Sequence, residues 1–173
     1  MWRTFGVQTL TGSAQPILGD VLTAAAEITQ DGTVAILTVG STANKKYQQG
    51  DRLVLDPLQS NQDIVLVTEI ISSTQLLCTS QNSKLHTHAS NAIVQLAISC
   101  ANTIMQAPST NTEPVWVGTD NTVTNAGAGN AIGVMNAGGT FGDTGHDLNL
   151  FNTADLWMAG TASQTVIVAV EII

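Results

Sequence analysis

Two histidines one residue apart, His86 and His88, are the most chemical-looking pair in this chain. On a strand their imidazoles share one face, because side chains alternate with a period of two. That spacing can ligate a metal, but a metal site needs a third and usually a fourth donor. Asp143, His146 and Asp147 are the candidates of the right type, and nothing in the sequence brings them near. The plainer reading is a polar loop, Ser80 to Asn91, running into the next strand. No metal site, cofactor site or catalytic residue is therefore assigned.

Other chemistries fare no better. No Gly-x-Ser-x-Gly elbow is present, and many Ser and Thr do not make an activated nucleophile without a base and an orienting group. Gly127, Gly129 and Gly133 do not form a dinucleotide fingerprint, since Ile132 stands where its third glycine belongs. A P-loop is excluded, because no Lys follows Lys84. Paired carboxylates for glycosidic chemistry lack an aromatic-lined groove to work in, with aromatics at 4%. Trp116 and Trp157 read as core or subunit-interface residues, and Cys78 and Cys100 as buried free thiols. The expectation is a protein that is not an enzyme.

The elements that would position any site are strands. With 173 residues the chain has room for one ordinary domain or two small ones. Its composition is 43% hydrophobic and only 10% charged, the reverse of a disordered chain. Thr, Ser, Asn and Gln fill the places of surface helix formers. Net charge is −8, and all five cations precede Leu85, which argues against nucleic acid as a partner. No run approaches the length of a membrane helix, Arg3 is followed by no signal-like apolar stretch, and no membrane contact is expected.

Three segments follow from the patterning. Residues 1–26 have no clean period, yet Trp2, Phe5, Val7, Leu10, Ile17 and Leu18 are apolar enough to need burial. They read as an extended arm that docks on something larger, and these six residues are its candidate contacts to that partner or to other subunits. Residues 27–100 read as short strands separated by turns, with Asp63 to Ile71 apolar on both faces and therefore central. Five or six strands without crossover helices describe a small antiparallel β-barrel. Residues 101–173 read as a second, β-sandwich module, with strands around Asn102 to Ala107, Val115 to Val117, Thr122 to Thr124, Asn149 to Phe151, Leu156 to Met158 and Thr165 to Glu171. Between Asn125 and Gly145 a Gly-, Ala- and Asn-rich run is expected to be a binding loop or a segment ordered by a neighbouring subunit. The fold class is thus all-β: arm, barrel, then sandwich.

Several phrases resemble tailed-bacteriophage virion proteins. Ser13 to Ala25 resembles the arm that precedes a small barrel in capsid-associated proteins. Gln49 to Leu55, Ile64 to Ile71 and His88 to Val94 resemble successive strands and turns of that barrel. Ser109 to Thr124 and Asp155 to Gly160 resemble a β-sandwich module, jelly-roll-like, of phage head and tail proteins. The Asn125 to Gly145 insert is longer than that pattern has. The resemblance implies a capsid decoration (cement) protein on the outer surface of the virion, made in the host cytoplasm. Its partners would be the major capsid protein and itself, as a homotrimer suited to three-fold capsomer junctions. A receptor- or glycan-binding module of a tail or spike, and a neck adaptor, are the alternatives.

Overall fold

The computed structural model describes residues 1–29, 32–40, 47–81, 85–143 and 151–172. The chain is all-β, and it divides into two compact units: Met1–Leu18 with Ile98–Ile173, and Gly19–Ala97. The second unit is inserted in the sequence of the first.

The first unit opens with β1 (Trp2–Thr4), β2 (Gln8–Thr9) and β3 (Gln15–Pro16). The inserted unit contains β4 (Gly19–Val21), β5 (Ala26–Ile28), β6 (Val34–Thr38), β7 (Arg52–Leu55), β8 (Asp63–Ile70), β9 (Gln75–Ser80), β10 (His86–His88) and β11 (Ile93–Ala97). The first unit resumes with β12 (Ser99–Gln106), β13 (Val115–Gly118), β14 (Ala131–Met135), β15 (Thr140–Asp143) and β16 (Phe151–Asn152). A 3-10 turn, Thr153–Asp155, leads to β17 (Trp157–Ala159) and β18 (Thr165–Ile172).

In the inserted unit one antiparallel sheet runs β4-β11-β7-β8-β9-β6. It curls until Leu22, just past β4, bridges Val39, just past β6. Thr23 N–H donates to the Thr38 carbonyl at 2.8 Å across the same seam. The interior is filled by side chains such as Leu22, Leu37, Leu53, Val65, Leu76 and Leu96, none with measurable exposure. A small barrel has room for that and little more. β8 sits between β7 and β9, as its two-sided apolar pattern requires. A separate ribbon of β5 and β10 pairs Ala26 with His88 and Ile28 with His86.

The first unit has two antiparallel sheets, β1-β18-β12-β15 and β14-β13-β17-β3; β2 adds to β18 and β16 to β12. Alternation selects the buried face: Val166, Val168 and Val170 on β18, Val115 and Val117 on β13. The sheets meet across that face. A Cβ on Gly133 of β14 would lie 2.2 Å from the ring of Phe141 on β15. Leu10, next to β2, fills the space beside Gly160.

Several expected boundaries move. Residues 1–26 are not an arm extending from the chain. Trp2 to Thr4 pair with Ala169 to Glu171, Gln8 and Thr9 with Val166 and Thr165, and Gln15 and Pro16 with Met158 and Trp157. Residues 19–26 belong to the barrel-like unit, which ends at Ala97. The single strand expected over Ala92 to Cys100 is two, β11 and β12, broken at Ile98, where the chain leaves one unit for the other. The Gly-rich run carries two strands of its own, β14 and β15, while Thr122 to Thr124 carries none. Asn149 and Leu150 of the expected Asn149 to Phe151 strand lie outside the described residues, as do 144–148 of the insert and its flank.

Candidate functional site

The most polar buried cluster is built from the end of β7, the start of β8 and the β10 strand. Asp63 opens β8 in phase with Val65 and Val67, so its carboxylate points inward and is fully buried. Asp56 follows β7 with φ of +46°, a conformation that Asp accepts more readily than most residues. Its N–H donates to the Ile93 carbonyl at 2.9 Å, and its carboxylate accepts from the Asn61 amide at 3.0 Å. From β10 both imidazoles reach in. His86 Nδ1 lies 2.7 Å from Asp63 Oδ1, and His88 Nε2 lies 2.8 Å from Asp63 Oδ2. The other ring nitrogen of His88, Nδ1, lies 2.8 Å from Asp56 Oδ2.

His88 has no exposed surface, and the His86 side chain keeps 22%. The result is a chain, Asp56–His88–Asp63–His86, running from half-buried to fully buried and back to the surface. Each ring nitrogen of His88 meets one carboxylate, Nδ1 that of Asp56 and Nε2 that of Asp63. The cluster ties the β5–β10 ribbon to β7 and β8.

The two histidines therefore do share a strand face, but their partners are not those considered from the sequence. Asp143 lies in β15, within the other unit, and His146 and Asp147 lie outside the described residues. Among the described residues no group of three or more His, Cys, Asp or Glu is placed to hold a metal ion. One signal in the sequence pointed to the true partner. An Asp in register with the buried valines of DIVLVTEI has to meet a donor inside.

A second organised region is the loop between β13 and β14. Asp120 Oδ1 accepts from the Thr122 backbone at 2.8 Å and from its hydroxyl at 2.6 Å, and Asn130 donates to Oδ2. The Thr122 and Asn130 donors hold the Asp120 carboxyl below its ordinary range. Thr124 Oγ1 accepts from Ala126 and Ala128. Gly127 (φ +76°) lies on the Trp116 indole, where a Cβ would come within 2.5 Å of the ring. Gly129 (φ +79°) has the Thr122 carbonyl where its Cβ would be. Only glycine fits both places. This part of the insert is a folded lid over Trp116, ordered by the chain's own residues.

Of the six expected contact residues, Phe5, Leu10, Ile17 and Leu18 are at most 2% exposed and serve the chain's own interior. Trp2 and Val7 are 48% and 55% exposed and face outward. Trp157 is buried, and Trp116 is half-buried beneath Gly127. Cys78 and Cys100 are buried free thiols. Burial pushes Cys78 up to about 12, and burial also raises Cys100.

What sequence reasoning missed is an apolar outer wall on the barrel-like unit. Val34 and Ile36 of β6 are 62% and 54% exposed, and they lie opposite Thr79 and Leu77 of β9. Arg52 of β7, an exposed cation, sits opposite Leu66 of the adjacent β8, three strands from β6. The signal was present in the β6 sequence, whose apolar residues run on both faces. No family model, curated protein or solved structure matches this chain.

Proposed function

We propose that this protein is a structural component of a phage virion, a decoration protein that binds the assembled shell of the major capsid protein and does no chemistry. The observation that carries the reading is the outer wall of β6 and β9, where Val34 and Ile36 stand exposed beside Leu77. An exposed apolar strip on a sheet, bordered by Glu69 opposite Leu77, suits a contact with another protein. It adds to the resemblance of the barrel and sandwich phrases to virion proteins. A glycan-binding platform is the weaker reading, because such a site displays aromatic rings in a groove. Here Trp157 is buried and Trp116 is lidded by its own loop.

The binding energy in this reading is mainly apolar. Every 100 Å² of apolar surface buried contributes about 2.5 kcal/mol before the costs of association. Exposed ion pairs add about 0–1 kcal/mol each. Purified chain mixed with expanded capsids that lack it should therefore co-sediment in hundreds of copies per particle. Binding should change little between about 50 and 500 mM salt. Ile36→Lys should weaken it by about tenfold or more. Absence of co-sedimentation, a dozen or fewer copies per particle, or a steep loss with salt would each defeat the proposal.

A further inference from the structure

β14 is an open sheet edge. On one side it pairs with β13, from Val115↔Met135 to Gly118↔Ala131; on the other, no described strand continues the sheet. Proteins usually protect such an edge with a charge, a proline, a very short strand or a covering element. The other outer strands of this unit show those devices. β3 has two residues and ends in Pro16, β1 has three residues, and β15 ends in Asp143. Among the described residues β14 carries no charge, proline or covering strand, and its one irregularity is the register shift that leaves Ile132 unmatched between Gly133↔Val117 and Ala131↔Gly118. Its five residues are Ala-Ile-Gly-Val-Met, and no charged residue or proline occurs anywhere from Asn121 to Gly142. Ile132 and Val134 are 48% and 41% exposed on the face they share with Trp116, which lies directly opposite Val134.

From this geometry we infer that β14 is a self-association site, where a second copy of this chain adds its own β14 antiparallel about a two-fold axis. Charge and symmetry both favour this occupant. Two copies each carrying −8 repel one another, and the uncharged 121–142 stretch is where close approach costs least. A β14 strand is also complementary to itself. With the axis through Gly133, Ile132 of one copy lies beside Val134 of the partner subunit, a favourable pair of β-branched side chains. An isologous contact of this kind closes at two copies. A three-fold assembly, as the resemblance implies, would need a different surface. The inference does not depend on the capsid reading.

A pair of five-residue strands buries about 1,000 Å² or less in total, which places it among weak, concentration-dependent contacts. The test is sedimentation of the full chain from about 5 to 500 µM. The expected result is a shift from one 18.0 kDa chain toward twice that mass, with amide exchange at 131–135 slowing as concentration rises. Val134→Lys should abolish the shift, with circular dichroism confirming that the variant is folded, and Ile132→Glu should do the same. Val34→Lys on the barrel wall should dimerise like the parent. A mass that stays at one chain, a trimer, unchanged exchange at 131–135, or dimers that survive both β14 substitutions would overturn the proposal.

Discussion

His88 holds both of its ring nitrogens 2.8 Å from carboxylate oxygens, and its side chain has no exposed surface. Removing one member of such a buried set leaves the others uncompensated, which typically costs about 3–5 kcal/mol. His88→Ala is expected to lower unfolding free energy by about that amount, because Asp63 remains fully buried. His86 retains solvent access, so His86→Ala should cost about 1 kcal/mol. Urea titrations of both variants check the ordering. Equal small losses would mean that the cluster relaxes to water and does not brace the ribbon.

At the scale of elements, the two ends of the chain form one sheet. The Met1 ammonium donates to the Ile172 carbonyl at 2.9 Å, and β1 and β2 both lie along β18. Phe5 and Leu10 bring their side chains into the interior of that unit, and Arg3 stacks 4.9 Å from the Phe5 ring centroid. Deleting Met1–Leu10 removes both core side chains, worth about 2–5 kcal/mol each, and strips an edge of β18. That approaches the whole stability of an ordinary domain. The truncated chain should therefore lose the sandwich transition in a thermal melt or become insoluble. A truncation that melts like the full chain would show these strands to be dispensable. An apolar N-terminus reads equally well as an arm bound for other chains, because its pairing partners lie more than 150 residues away.

For the whole molecule, alkaline pH is the lever that the buried groups define. Cys78 moves from 9.0 in the unfolded chain to about 12 in the native one. Tyr47 is held well above 10.0, first by burial and then by the nearby Asp20 carboxylate. Both groups keep their protons longer when folded. Their contribution is complete below the unfolded values and is lost as pH rises toward the folded ones. Stability should hold to about pH 9 and then fall by about 1.4 kcal/mol per pH unit for each group passed. Denaturant midpoints at pH 8, 9, 10 and 11 measure this. Cys78→Ala should remove the part of the decline that begins near 9. A flat profile through pH 11 would mean that neither group is sealed from water in the native state.

Local pattern determined the strand content. Low charge, many β-branched residues and frequent turn residues specify short strands, and DIVLVTEI with apolar side chains on both faces had to lie inside a sheet. The positions of β12, β13, β17 and β18 follow from the same alternation, which needs no knowledge of the partner strand. β14 and β15 escaped notice because Ala131 to Asp143 is poor in large side chains. Their strands exist because Phe141 fills the space left by Gly133 and because β13 and β12 offer backbone to pair with. The His–Asp cluster was half legible. Alternation put His86 and His88 on one face, but Asp63 and Asp56 are 23 to 32 residues away, and only closure of the barrel-like sheet brings them within hydrogen-bond reach. Which apolar residues are buried and which face outward was likewise decided in three dimensions. Phe5 and Val7 look alike in the sequence and would share a face on one continuous strand, yet the strand pattern breaks over residues 5–7 between β1 and β2, and the first is buried while the second stands in solvent.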